Sequence, residues 1–442
     1  MATKTTGYKR RDSVPPFHLS SSSRFSKKYI VGLTKGRSQN PSSHIKTPSS
    51  KSTMVSTTAK PGHKSSHKRT LSEDAKDPRP QKIAKLDDLQ FDEGFGAGKN
   101  DESSYWKRRK ISPWALRSKK RRCFADKVKI NRSLMPPSAR KGLANLTGAL
   151  CYRSSLIQVL LHQPKLVSWL EKFHQPHQCT AEVPGRCVTC ALHQFSKVYW
   201  NGSKQELSEA YRRMHDLFRI LGWSADVASG QADPDEQAGW LFNQIRAELP
   251  TSMSSYFDAI HRSVTSSVIE CRKCGHKSSN ETHERSFSIP IQPVIRGGAV
   301  ADYLKQYLIE VIEDYRCEKC GDKGPKTRRH EIGHGPDVLA IHLKRFNWDG
   351  RKISRVVPIN KILDLNSHRA ATNDDNLKYE LTGIIKHSGS TGGGHYISVA
   401  KGLDGSWNEF DDQRRSTIDL ETARGQKGTS FTPYILYYQR IL

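Results

Sequence analysis

Long apolar runs are missing from these 442 residues, and several classes of protein go with them. Stretches such as Val338-Leu339-Ala340-Ile341 fall far short of the roughly 20 residues of a helical membrane span, so no membrane partner is expected. The opening of the chain is rich in Ser, Thr and Lys and has no apolar core segment, which argues against a secretory leader. Cysteines are few and odd in number, nine, partly grouped as C-x-x-C. That pattern suits thiols used for metal or catalysis in a reducing compartment better than a secreted disulfide frame, and an intracellular protein is expected. Acidic residues are scarce too, 44 Asp+Glu against 72 Lys+Arg, for a net charge of +28. The first 140 residues hold 33 of the basic residues and only 11 acidic ones, so the basicity belongs to the N-terminal part. A contact with nucleic acid or chromatin is therefore expected of that part alone.

Residues 1–70 contain 24 Ser+Thr and few large apolar clusters, too little to offset the entropy of ordering. Two basic clusters follow, Lys107-Arg108-Arg109-Lys110 and Lys119-Lys120-Arg121-Arg122. Such runs read as nuclear-import or nucleic-acid patches, with a solvated charged linker as the plain alternative. Met135-Pro136-Pro137 closes the tail, giving a disordered basic segment over 1–135 and a folded domain over 136–442. Within the domain, Leu156, Ile157, Leu160 and Leu161 recur at helical spacing, and Leu207 to Trp223 and Trp240 to Leu249 read as further amphipathic helices. Ser286 to Ile289, Val338 to Leu343, Tyr379 to Leu381, Tyr396 to Val399 and Tyr434 to Tyr438 are short, β-branched or aromatic, and strand-like. Helices first and strands afterwards imply an α+β fold with segregated layers.

Cys271-x-x-Cys274 and Cys317-x-x-Cys320 read as two zinc knuckles, each followed by a glycine, Gly275 or Gly321, that permits the tight turn, with four unrelated buried thiols as the alternative. Four protein thiolates leave no open position, so one structural zinc ion is expected rather than a catalytic one. Cys179, Cys187 and Cys190, with His174, His177 and His193 nearby, also offer ligands, at irregular spacing; buried thiols and surface histidines are the alternative. Cys151 stands alone at the start of an amphipathic helix, where the positive end of the helix dipole favours a thiolate. The loop from Gly142 to Leu150 can aim backbone N–H groups and an amide at a developing oxyanion. Far downstream, Gly392-Gly393-Gly394-His395-Tyr396 sets a histidine between a glycine run and a strand, and Trp407-Asn408-Glu409-Phe410-Asp411-Asp412 ends in two carboxylates. If the strands carrying them pair, the carboxylate fixes the imidazole tautomer and the imidazole activates the thiol.

These segments resemble the ubiquitin-specific protease family of papain-like cysteine deubiquitinases. The likeness rests on Gly142-Leu143-Ala144-Asn145-Leu146, Cys151-Tyr152, Ser155, Gln158 and Leu160, and on Gly394-His395-Tyr396 with Trp407 and Phe410-Asp411-Asp412. Tyr315 to Cys320, Leu343-Lys344-Arg345-Phe346 and Lys352-Ile353-Ser354 also resemble family signatures. The resemblance implies a papain-like fold with a helical thumb (about 140–250), zinc-knuckle β fingers (about 260–335) and a β palm (about 336–442). It implies a thiol hydrolase cleaving the isopeptide or peptide bond after the C-terminal Gly of ubiquitin, acting on ubiquitin and ubiquitinated proteins. Cys151 would be the nucleophile, His395 the base, Asp411 its orienting group, Asp412 an assistant and Asn145 the oxyanion donor. Asp233 and Glu236 resemble the acidic pair that holds the ubiquitin tail, and Gly394 with Tyr396 would line its channel. The chain departs from the pattern in one extra residue between Asn145 and Cys151, in Gln237 where Phe or Leu is usual, and in Ser154 where Asn is usual. A catalytically impaired ubiquitin-binding scaffold is the alternative those departures suggest. The basic clusters point to the nucleus, including the nucleolus, with the cytoplasm as alternative.

Overall fold

The computed structural model describes residues 113–137, 141–174, 179, 181, 183, 185–227, 230–291, 297–425 and 429–441. Helices come first: α1 (Pro113–Lys127), α2 (Cys151–Leu161), α3 (Pro164–Phe173), α4 (Val188–Asn201), α5 (Lys204–Ile220), the single turn α6 (Ser224–Val227), α7 (Pro234–Glu248) and α8 (Thr251–His261). None of the described helices is long and apolar enough to cross a membrane. Strands β1 (Ser263–Glu270), β2 (Lys277–Glu284), β4 (Ile309–Arg316) and β5 (Lys323–His334) form a four-stranded sheet ordered β2-β1-β5-β4. A larger sheet runs β11-β10-β9-β8-β12-β6-β3, with β7 paired to β8. Its strands are β3 (Ser286–Pro290), β6 (Val338–Lys344), β7 (Ile362–Asp364), β8 (Lys378–Ser390), β9 (Gly393–Lys401), β10 (Trp407–Asp411), β11 (Arg414–Ile418) and β12 (Thr432–Arg440). Helices α9 (Val300–Leu308) and α10 (Leu420–Arg424) complete the chain. This is the α+β architecture of helical thumb, β palm and β fingers.

Local chemistry fixes the helix starts. Ser203 and Glu206 form a reciprocal capping box at α5, with Glu206 N–H on Ser203 Oγ at 3.2 Å and Ser203 N–H on Glu206 Oε2 at 2.7 Å. At α7 the cap is Asp233, with Pro234 in the first helical position, where its missing N–H costs nothing. Helix α2 is the central pillar: every one of its residues is buried, because the other helices cover one side and β9 the other. Its polar side chains survive burial by finding partners, as a packed interior requires. Ser154 Oγ meets Tyr211 OH at 2.9 Å, Ser155 Oγ donates to Tyr152 O at 3.0 Å, and Gln158 Nε2 reaches Lys141 O at 3.3 Å.

The sequence reading gives residues 1–135 as a disordered tail, and over 113–135 the structure corrects it. Residues 1–112, including Lys107 to Lys110, lie outside the described residues. From Pro113 onward the chain is helical, and Ala125, Val128 and Met135 are buried in the thumb core. The helical period puts Arg122 on the same face as Ala125, three residues on. Its guanidinium bonds Asp337 at 2.7 Å and Asp126 at 2.6 Å. Lys165 Nζ pairs with Asp337 at 2.7 Å and donates to Ala125 O and Val128 O at 3.0 and 2.8 Å, a cation on the C-terminal carbonyls of α1. Burial works against the Asp337 charge, yet Arg122 and Lys165 hold its carboxyl down to about 2. Arg121 donates to His283 Nδ1 at 2.8 Å on β2, and Lys119 lies 3.6 Å from Asp374. The second basic cluster is therefore part of the folded body, not a solvated run.

Candidate active site

The first residue of α2 is Cys151, 1% exposed. His395 comes to it from β9, and Asp411 from the end of β10, the next strand, antiparallel with Phe410 opposite Ser398. His395 Nε2 sits 2.6 Å from Asp411 Oδ1, which leaves Nδ1 for the sulfur. The hydrogen bond with Cys151 is the main force pushing His395 up to about 9; partial burial opposes it and Asp411 adds to it. A thiol more than two hundred residues upstream thus meets the His395–Asp411 pair in one cluster. Such an array holds an imidazolium between a sulfur and a carboxylate, the arrangement of an activated thiol nucleophile.

The loop before Cys151 is fixed by the same carboxylate turn. Leu143 N–H donates to Asp412 O at 2.9 Å. Gly142 packs so close that a Cβ there would stand 2.4 Å from the Gln413 carbonyl, a place only glycine can fill. Asn145 Nδ2 donates to Asp412 Oδ2 at 3.1 Å, and its Oδ1 accepts from Leu150 N–H at 2.8 Å, one residue before the nucleophile. The extra residue is absorbed outward: Thr147 and Gly148 are exposed, and Gly148 turns the chain with φ 76°. Asn145 therefore stays beside the catalytic cluster. Asp412 itself holds φ 49°, the sole positive φ of a described residue other than glycine, and burial raises its carboxyl pKa.

A model of the ubiquitin carboxyl-terminal hydrolase family matches residues 141–438. The chain belongs to that family. It is a family of cysteine proteases, the enzyme class read from the sequence. The probable ubiquitin carboxyl-terminal hydrolase 16 of Schizosaccharomyces pombe is 26% identical over 334 residues, 71% of this chain and 70% of the relative. Ubiquitin carboxyl-terminal hydrolase 23 of Arabidopsis thaliana is 26% identical over 319 residues, and there the chain spans only 35% of the relative's length. Among solved structures, the SAGA Ubp8/Sgf11/Sus1/Sgf73 DUB module bound to ubiquitin aldehyde aligns with a TM-score of 0.59 at 21% identity, over 68% of this chain and 69% of that one. The likeness to it is one of fold.

In this member of the ubiquitin carboxyl-terminal hydrolase family the acidic pair is unequal. Asp233 is consumed internally: Oδ1 accepts from Asp235 N–H at 2.6 Å and Tyr434 OH donates to Oδ2. Asp235 is clamped by Arg285, both pairs at 2.9 Å. Glu236 is exposed; its backbone N–H caps onto Asp233 Oδ1 at 3.4 Å, while its carboxylate has no ion-pair or hydrogen-bond partner among the described residues. Partial burial and then the charges of Asp233 and Asp235 raise its carboxyl pKa, a carboxylate poised for a cation. Gly394 is obligatory, since a Cβ would meet His387 Nε2 and Ser388 O at 2.3 Å. Tyr396 is buried, its ring 4.5 Å from His387 and 5.9 Å from Tyr434, so it backs the wall rather than facing solvent. Gln231, which the sequence reading passed over, grips both backbone groups of Gly394, donating at 3.1 Å and accepting at 3.3 Å. Its position two residues before Asp233 was the signal available.

Two groups have the donor set of a metal site. At the tips of the fingers, Cys271 Sγ lies 3.7 Å from Cys320 Sγ, and Cys274 Sγ 3.7 Å from Cys317 Sγ. With Zn–S bonds of about 2.3 Å, a tetrahedron has edges of about 3.8 Å, so the four thiols fit one ion. Gly275 and Gly321 turn the two knuckles with φ 67° and 70°. The second group departs from the expectation of one ion. His174, Cys179, Cys187 and Cys190 bring one ligand atom each within 4.8 Å of all the others. His174 Nε2 is 3.0 Å from Cys190 Sγ and 3.4 Å from Cys187 Sγ, and Cys190 N–H donates to Cys187 Sγ at 3.3 Å, a knuckle at the start of α4. Glu248 accepts from Val188 N–H and Thr189 N–H at 2.9 and 3.1 Å and braces that turn from α7. Of the other candidates, His193 pairs with Glu171 at 2.8 Å, and His177 lies outside the described residues.

Proposed function

We propose that the protein hydrolyses the isopeptide or peptide bond after the C-terminal Gly of ubiquitin. The observation that carries the reading is His395 held between the Cys151 sulfur and Asp411. The Cys151 thiolate attacks the glycine carbonyl, and His395 gives its proton to the departing amine as the C–N bond breaks. Water, deprotonated by His395, then cleaves the thioester and restores the thiol. Asn145 Nδ2, held by Asp412 through one N–H, offers the other to the oxyanion. Glu236 faces a basic side chain of the ubiquitin tail, which passes the Gly394 hairpin where side chains have no room. Cys271, Cys274, Cys317 and Cys320, and likewise His174, Cys179, Cys187 and Cys190, would each hold one zinc ion with all four positions filled by protein, so the metal would supply stiffness and no chemistry. Cys151→Ala should abolish cleavage of a ubiquitin C-terminal fluorogenic amide while ubiquitin binding persists. Turnover retained in that variant would reject the reading.

The address of the protein belongs to the same proposal. Arg121 and Arg122 are engaged within the fold, so a nuclear, including nucleolar, destination rests on Lys107 to Lys110 and the basic residues before them. The same segment is the candidate contact for nucleic acid or chromatin. Neutralising Lys107 to Lys110 in a fluorescent fusion should release it from the nucleus, and unchanged accumulation would count against the assignment.

A further inference from the structure

Beneath the nucleophile lies a cation that the proposed chemistry does not use. Arg153, two residues after Cys151, is 0% exposed. Its Nη1 donates to His215 Nδ1 on α5 at 2.8 Å, its Nη2 to Tyr152 OH at 3.3 Å, and its Cζ stands 4.8 Å from the centre of the Phe218 ring. Gln237 on α7, also 0% exposed, sets its amide against the guanidinium; with the amide oxygen assigned to that side, it accepts from Nε at 2.8 Å and Nη2 at 3.1 Å. Only that orientation satisfies both groups. A buried guanidinium is tolerated where acceptors meet its rigid fork, and the fork has direction that an apolar contact lacks. Gln237 follows Glu236 directly, and Arg153 lies in the first turn of α2. The bond therefore ties the turn bearing the nucleophile to the turn bearing the open carboxylate. A Phe or Leu at position 237 would offer the guanidinium no acceptor.

We propose that Arg153 and Gln237 are positioning residues that fix the start of α2 against the start of α7, setting the Cys151 sulfur in its place relative to His395 and Glu236. The inference rests on the reading of these helices as nucleophile and tail-binding elements. The test compares Gln237→Leu, Gln237→Glu, Arg153→Lys and the double variant R153M/Q237L in the full chain. Three quantities are measured: kcat and KM for a ubiquitin C-terminal fluorogenic amide per titrated site, the pH profile of Cys151 alkylation by iodoacetamide, and thermal melting. Gln237→Leu should lower kcat at least tenfold with KM within threefold, and slow alkylation near neutral pH at least fivefold. Gln237→Glu keeps an acceptor oxygen facing the guanidinium and should stay within threefold of the parent in both. The double variant should regain at least fivefold in kcat over Gln237→Leu. Should Gln237→Leu fail to fold, Arg153→Lys carries the same comparison, because an ammonium cannot serve the acceptors as a fork. Unchanged kcat and alkylation per titrated site in Gln237→Leu and Arg153→Lys, or losses that only follow the folded fraction, would overturn the proposal. A parent protein that cleaves no ubiquitin amide would reject the functional reading instead, and the alkylation profile would still decide the role of the pair.

Discussion

His395 does not titrate like an ordinary imidazole, and that single residue sets the expected pH behaviour. Its bond to Cys151, reinforced by Asp411, lifts it to about 9, so the folded protein keeps the imidazolium through neutral pH and loses it as pH rises through that value. A kcat/KM profile should therefore hold into mild alkali and fall above about 9. Asp411→Asn keeps the shape but no longer fixes the protonated tautomer, and kcat should drop about a hundredfold or more, with the alkaline limb moved downward. Asn145→Ala removes the oxyanion donor, which costs about 10²–10³-fold in kcat. It also leaves Leu150 N–H and Asp412 without their partner, so steady-state rates should be read beside a melting curve. At this scale the sequence offered candidates, a thiol at a helix start, a histidine after a glycine run and an aromatic-flanked acid pair, and the family resemblance singled out Cys151, His395 and Asp411 among them. It could not show that Asp233 would be occupied by Tyr434, 201 positions away, leaving Glu236 as the open carboxylate.

Among the elements, α1 carries the largest surprise. Its sequence, Pro113-Trp114-Ala115-Leu116-Arg117-Ser118-Lys119-Lys120-Arg121-Arg122, is so basic that it reads as part of a disordered tail bearing a nuclear-import or nucleic-acid patch, with a solvated linker as the alternative. Lys119 and Arg122 are instead matched by Asp374 and by Asp126 and Asp337, carboxylates distant in the chain or a turn away, which composition cannot reveal. Arg122→Ala withdraws one cation from buried Asp337 and should cost about 2–3 kcal/mol, read as a lower denaturation midpoint at unchanged slope. Deleting residues 1–112 should leave ubiquitin-amide hydrolysis intact, whereas deletion through 135 should yield an unstable protein, because it strips Ala125, Val128 and Met135 from the core. The strands of the palm were legible from β-branched and aromatic runs. Those of the fingers were not: β2 reads Lys277-Ser278-Ser279-Asn280-Glu281-Thr282-His283-Glu284 and is half exposed, held by ladder pairing with β1 rather than by apolar burial.

For the whole molecule, two buried histidines make stability depend on pH and two ligand clusters should make it depend on metal. Burial pushes His261 and His334 down to about 3, against about 6.5 in an unfolded chain. Their contribution is complete above pH 6.5 and is lost as pH falls toward 3, each by about 1.4 kcal/mol per pH unit, because the unfolded chain takes up protons the folded one refuses. Melting temperature should therefore fall steeply between pH 6 and 4. Metal analysis should return two zinc ions per chain, with Cys274→Ser and Cys187→Ser each removing one, and chelation should lower the melting temperature. What the sequence alone determined is what short range can encode: helix starts, strand texture, the knuckle turns of Cys271 to Cys274 and Cys317 to Cys320, and the order of the chemical motifs along the chain. Tertiary structure decided the rest, namely the docking of α1, the gathering of His174 with Cys179, Cys187 and Cys190, and the Arg153–Gln237 bond. Each depends on which elements pack face to face. A buried polar group is stable only where a partner meets it in space, and the partner's place along the chain does not encode that meeting.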